Sequence, residues 1–143
     1  MREEEKAYLA GFLEADGCIS IRKFKRDKRR RKDYYGGVVS IVNTKKSILE
    51  YFQKLIGKGT IHVLNKGTAK WKRSYRYQIN GREASELLRI IRPYMKIKDK
   101  QADLYCEMYR IKMTHMTQEQ YNKAEERYEE IKLLMTALNK KGP

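Results

Sequence analysis

The chain has 143 residues, 41% apolar and 36% charged, with a formal net charge of +15. That length suits one domain with a proper core and is too short for two. No apolar run approaches the ~18 residues a membrane helix needs, the start Met1-Arg2-Glu3-Glu4-Glu5 is no signal peptide, and Cys18, Cys106, His62 and His115 are too few and too scattered for a disulfide scaffold or a zinc site.

Residues 3–15 read as a helix, with Leu9, Phe12 and Leu13 at i, i+3, i+4 spacing and Gly17 as its C′ residue. Residues 18–25 switch to period two, Ile19 and Ile21 alternating with Ser20 and Arg22, which is a half-buried strand. The charged stretch 26–33 is expected at a long hairpin tip, and Val38 to Val42 return as a second strand. A helix over 45–56 follows, carried by Ile48, Leu49, Phe52, Leu55 and Ile56 and stopped by Gly57 and Gly59. Strands at about 60–65 and 71–79 are joined by the Asn65-Lys66-Gly67 turn. A helix over 82–92 ends at Pro93. Two more helices, at about 99–113 and 118–139, close the chain, the last with a Thr117/Gln120 capping box. The pattern is α+β, with no internal repeat and no linker.

The positive charge is segregated. Residues 18–82 hold 19 basic and 3 acidic side chains, net +16, whereas the remainder holds 14 and 15, net −1. Such a field is the footprint of a polyanion partner, the alternative being a solvated basic surface. All four strands lie in that segment. Their outward positions are Ser20, Arg22, Phe24 and Arg26, Val38 and Ser40, His62 and Leu64, then Lys72, Ser74, Arg76 and Gln78. An antiparallel sheet with one apolar and one basic face can read a DNA groove, although any one-sided sheet has polar outward residues.

Ala7, Gly11 and Ala15 are spaced by four and form a smooth stripe that allows close approach of another helix. Asp16 follows at the helix C-terminus, where outward carbonyls already carry negative partial charge. A carboxylate there is unfavourable unless a cation joins it. Asp16 and the Ala15 carbonyl offer hard oxygen ligands to Mg²⁺; the alternative is that Asp16 opens a turn before Gly17.

Leu9 to Gly17, LAGFLEADG, strongly resembles the LAGLIDADG motif of homing endonucleases. The helix–hairpin–helix–hairpin–helix order after it is similar to that family's core. The resemblance implies an αββαββα fold with a four-stranded antiparallel, saddle-shaped DNA-binding sheet, here with extra C-terminal helices, and residues 1–143 as a single endonuclease domain. It implies that Asp16 and the Ala15 carbonyl bind catalytic divalent metal, Mg²⁺. The segment Arg92 to Leu104 resembles the stretch that brings a basic residue into the active site, and Lys98 matches the catalytic lysine. Asn43 matches a water-orienting polar residue. Lys45 or Lys46 matches a further basic residue, with Lys46 as the site residue.

Only one motif occurs, and one motif supplies one metal-binding carboxylate for two strands. The resemblance therefore implies a homodimer packed through Ala7, Gly11 and Ala15, cutting a long, roughly palindromic double-stranded DNA site by phosphodiester hydrolysis. No small-molecule substrate and no membrane are expected, and the setting is intracellular, in a compartment the sequence does not reveal. The rival readings are an RNA-binding intron maturase and a non-catalytic DNA-binding protein on the same fold.

Overall fold

The computed structural model describes every residue except 26, 29–32 and 141–143. In chain order the elements are α1 (Glu3–Asp16), β1 (Gly17–Phe24), β2 (Tyr34–Asn43), α2 (Lys46–Ile56), β3 (Thr60–Asn65), β4 (Ser74–Asn80), α3 (Gly81–Ile91), a 3-10 turn at Arg92–Tyr94, α4 (Asp99–Lys112) and α5 (Gln118–Asn139). The sheet has the order β1-β2-β4-β3 and is antiparallel throughout.

The period-two pattern divides the sheet into two faces. Ile19, Ile21, Tyr35, Val39, Ile41, Tyr77 and Ile79 point inward and are buried. They meet Leu9 and Leu13 of α1, Leu49 and Phe52 of α2, Leu88 and Ile91 of α3, Tyr105 and Met108 of α4, and Ile131 and Met135 of α5 in one apolar cluster. Removing that area from water is the main stabilising contribution. The capping box of α5 forms as expected: Gln120 N–H donates to Thr117 Oγ1 and Thr117 N–H to Gln120 Oε1. Gly57 closes α2 in the left-handed region, φ +81°.

Two strand starts need correcting, while Gly17 ends α1 as expected, in extended backbone with φ −105°, and is also the first residue of β1. Glycine is needed there for space, because a Cβ would lie 2.3 Å from Leu13 Cδ1 and 2.6 Å from the Leu13 carbonyl. Strand β2 starts at Tyr34 rather than Val38, so Gly36 and Gly37 lie within the ladder, opposite Arg22 and Ile21. Strand β4 starts at Ser74 rather than at 71, so Lys72 sits in the loop at 66–73 and takes no place in the sheet.

Candidate active site and nucleic-acid interface

The outward face follows from the strand register. Ser20 opposes Val38, Arg22 opposes Gly36 and Phe24 opposes Tyr34. Across the centre Ser40 opposes Gln78 and Val42 opposes Arg76, and at the far side His62 opposes Arg76. The sequence-derived positions Ser20, Arg22, Phe24, Val38, Ser40, His62, Ser74, Arg76 and Gln78 therefore share one face. Arg26 lies outside the described residues. Leu64 is the extra residue of a register irregularity between Val63 and Asn65 and has no partner in the ladder. Pairing adds positions that sequence reasoning missed: Cys18 opposite Ser40, Tyr34, Val42, and Thr60 opposite Gln78. Arg76 Nε is buried and has no hydrogen-bond partner among the described residues.

At one end of this sheet α1 runs out into β1. Asp16, the last residue of α1, is exposed, and no hydrogen bond or ion pair engages it among the described residues. Lys98 comes to the same point from the N-terminus of α4. Its Nζ donates to the carbonyl of Glu14 at 3.0 Å and to the carbonyl of Gly17 at 2.7 Å. The ammonium thus straddles Ala15 and Asp16. It is a cation against a helix C-terminus, which is favourable electrostatics, and a lysine has three N–H donors, so one is left over.

Glu14 explains how Lys98 reaches that position, and its role was not read from the sequence. Its carboxylate is buried at 8% exposure. Oε2 accepts the backbone N–H groups of Lys96 at 2.8 Å, of Lys98 at 2.7 Å, and of Ile97 between them. Three successive amides wrapped round one carboxylate oxygen fix the 96–98 segment to α1. The motif helix and the lysine that flanks its end are one unit.

Asn43 and Lys46 lie at the same end of the sheet. Asn43 stands two residues beyond Ile41, which pairs with Gly17. Its Oδ1 accepts the Lys45 N–H at 2.8 Å, which leaves the side-chain NH₂ as a donor. Asn43, Lys45 and Ser47 line a shallow cleft of about 320 Å³ with Tyr8 and Phe12 of α1. Lys46 opens α2 with its Nζ over the Tyr75 ring, 5.7 Å from the centroid. Unlike Lys98, it makes no bond to the 14–17 segment among the described residues.

The stripe on α1 faces solvent. Ala7, Gly11 and Ala15 are exposed, and a Cβ built on Gly11 meets nothing within 4 Å. Large apolar side chains are exposed on the same α1 or on elements held against it: Tyr8 at 50%, Tyr51 at 42% and Ile97 at 73%. Tyr8 and Tyr51 meet edge to face, with centroids 6.5 Å apart.

The sequence pattern of the LAGLIDADG endonuclease family matches residues 9–109, which begin at Leu9 of the motif and run past Lys98. The chain belongs to this family. The DNA endonuclease I-CvuI of Chlorella vulgaris is 31% identical over 106 residues, 71% of this chain. The match spans 62% of that relative's length. A crystal structure of I-CvuI with a DNA target and Mg superimposes with a TM-score of 0.80 at 22% identity, covering 99% of this chain and 85% of that one. The archaeal intron-encoded I-Vdi141I, complexed with DNA, gives 0.77 at 19% identity, covering 99% and 87%. At these identities the superpositions are likenesses of fold: α+β, with a four-stranded antiparallel sheet. No helix among the described residues is long and apolar enough to cross a membrane.

Proposed function

We propose that the chain is a metal-dependent homing endonuclease that cuts double-stranded DNA as a homodimer. The observation that carries this reading is Lys98 Nζ anchored on both sides of Asp16, at the end of the motif helix. Beyond capping the helix, this sets a fixed ammonium beside an exposed carboxylate, the combination of charges that phosphodiester hydrolysis uses. The basic outward face supports DNA as the partner.

The donor chemistry suits a hard cation. Asp16 supplies a carboxylate and Ala15 a carbonyl beside it, and the neighbouring Glu14 and Gly17 carbonyls are held by Lys98. Among the described residues no group of three or more His, Cys, Asp or Glu could hold a metal alone. One chain supplies one such carboxylate and carbonyl pair, and a second Asp16 brought across a two-fold axis would add to it. When bound there, Mg²⁺ would stabilise the attacking and leaving oxygens of the phosphodiester. The chain's own residues do the rest. The third N–H of Lys98 stabilises charge developing on the phosphate. The Asn43 NH₂ orients the attacking water. Lys46 adds positive charge near the scissile backbone. The face made by Ala7, Gly11 and Ala15, bordered by Tyr8, Tyr51 and Ile97, packs against its copy.

Linearisation of plasmids carrying a randomised site tests this, with and without Mg²⁺. Asp16→Asn removes an anionic ligand at constant shape, so cleavage should vanish while DNA binding persists. Full cleavage by that variant would overturn the assignment. Splicing assistance without DNA cleavage would move the protein to the RNA maturase reading.

A further inference from the structure

The loop at 66–73 reads Lys-Gly-Thr-Ala-Lys-Trp-Lys-Arg and contains no acidic residue. Trp71, the chain's single tryptophan, stands in it at 70% exposure. An indole of that size left in water forgoes a large apolar burial. The loop around it is built to hold it there. Gly67 N–H donates to Asn65 Oδ1 at 2.8 Å, Thr68 N–H to the Trp71 carbonyl at 2.8 Å, and the Lys70 and Trp71 N–H groups both to Thr68 Oγ1 at 3.2 Å. Arg73 Nε donates to the Lys66 carbonyl at 3.3 Å. A pre-ordered loop loses little entropy when it binds. It continues from the Asn65–Ser74 pair, the end of the face that carries His62 and Arg76.

We propose that Trp71 is a DNA contact, its ring packing on the sugar–phosphate backbone beyond the β3–β4 edge of the sheet while Lys70 and Lys72 meet phosphates. This rests on the DNA-binding reading above. A tryptophan between lysines also suits an anionic membrane surface, but the continuity with the basic outward face favours nucleic acid. The contact carries no base information, so it adds affinity and fixes the position of the duplex rather than selecting its sequence.

Because the chain has one tryptophan, its emission reports this loop alone when excited at the red edge, where tyrosine does not absorb. The protein is titrated in EDTA with an end-labelled duplex longer than the sheet, carrying a site recovered from a randomised library. Label anisotropy reports binding, and a parallel unlabelled titration reports Trp71. As anisotropy rises, the emission should change and its quenching by acrylamide should fall about twofold or more. Trp71→Ala should weaken binding about tenfold, by the same factor on duplexes that differ in base sequence, with an unchanged melting temperature. A rise in anisotropy with unaltered emission and quenching overturns the Trp71 contact and leaves the DNA reading standing. No anisotropy change on any duplex overturns both. A change that tracks protein concentration without DNA assigns the ring to a second copy, and a change on phosphatidylserine vesicles alone assigns it to a membrane; either result overturns the proposal.

Discussion

Replacing Glu14 by Gln keeps the side-chain shape and removes the charge that gathers the amides of Lys96, Ile97 and Lys98. Hydrogen bonds to a charged group contribute about 1.5–3 kcal/mol each, against about 1 kcal/mol for neutral pairs. Three bonds converge on one oxygen, so their contributions overlap, and the loss should be about 2 kcal/mol. Glu14→Ala leaves three amides without a partner and should cost more, about 3–5 kcal/mol. Urea denaturation measures both. The same variants should cut DNA slowly at saturating protein, because Lys98 Nζ loses its fixed place between the Glu14 and Gly17 carbonyls. A double-mutant cycle separates this from general destabilisation. If Glu14 acts through Lys98, adding Lys98→Ala to Glu14→Gln should slow single-turnover cleavage little further. Independent, multiplying losses, or a Glu14→Gln enzyme with full rate and full stability, would refute the positioning role.

Lys98→Ala alone should lower single-turnover cleavage on the order of 10²-fold, with DNA affinity little changed; unchanged chemistry with weaker binding would reduce Lys98 to a backbone contact. Gly11→Leu finds open space on its own chain, so the monomer should fold normally. At a helix crossing the same side chain overpacks by about 1–3 kcal/mol or more, so sedimentation should show loss of the dimer, and both strand cuts should disappear with it. A dimer that survives this change would place the two-fold axis elsewhere. Arg127 grips Glu107 with two bonds of 2.6 and 2.9 Å and holds its carboxyl below the ordinary value. That contribution to stability is complete above the unfolded-state carboxyl value and is lost as pH falls through the lower folded value. Urea midpoints measured into acid should therefore fall less steeply for Glu107→Gln than for the unmodified protein, and equal acid slopes would exclude the pair as a source of acid sensitivity.

The regular elements were legible because their signals are local. Ile19 and Ile21 alternate with polar neighbours, and Leu49 and Phe52 share one helix face, so strand and helix follow from spacing alone. The start of β2 was hidden by Gly36-Gly37, which reads as a turn. The reason for these glycines is distant in sequence. A Cβ at Gly37 would lie 2.2 Å from the Tyr105 ring, and the Gly37 N–H donates to Tyr109 Oη at 2.9 Å. Lys72 was misplaced because the ladder closes at Asn65–Ser74, and 66–73 instead forms a loop held by bonds such as Gly67 N–H to Asn65 and Arg73 Nε to the Lys66 carbonyl. Asp16 and Lys98 could be proposed from motif resemblance. Glu14 could not be given its role, since the amides it binds lie 82 to 84 residues away.

That separation bears on the life of the chain during synthesis. The four strands end at Asn80, and Lys98 follows them. The strands are therefore synthesised before Lys98 and before α4 and α5, whose Tyr105, Met108, Ile131 and Met135 cover the inner face of the sheet. Closing the contact between Glu14 and 96–98 is a long-range event and forms late compared with the hairpins. A packed sheet and a placed Lys98 thus await the same C-terminal part of the chain.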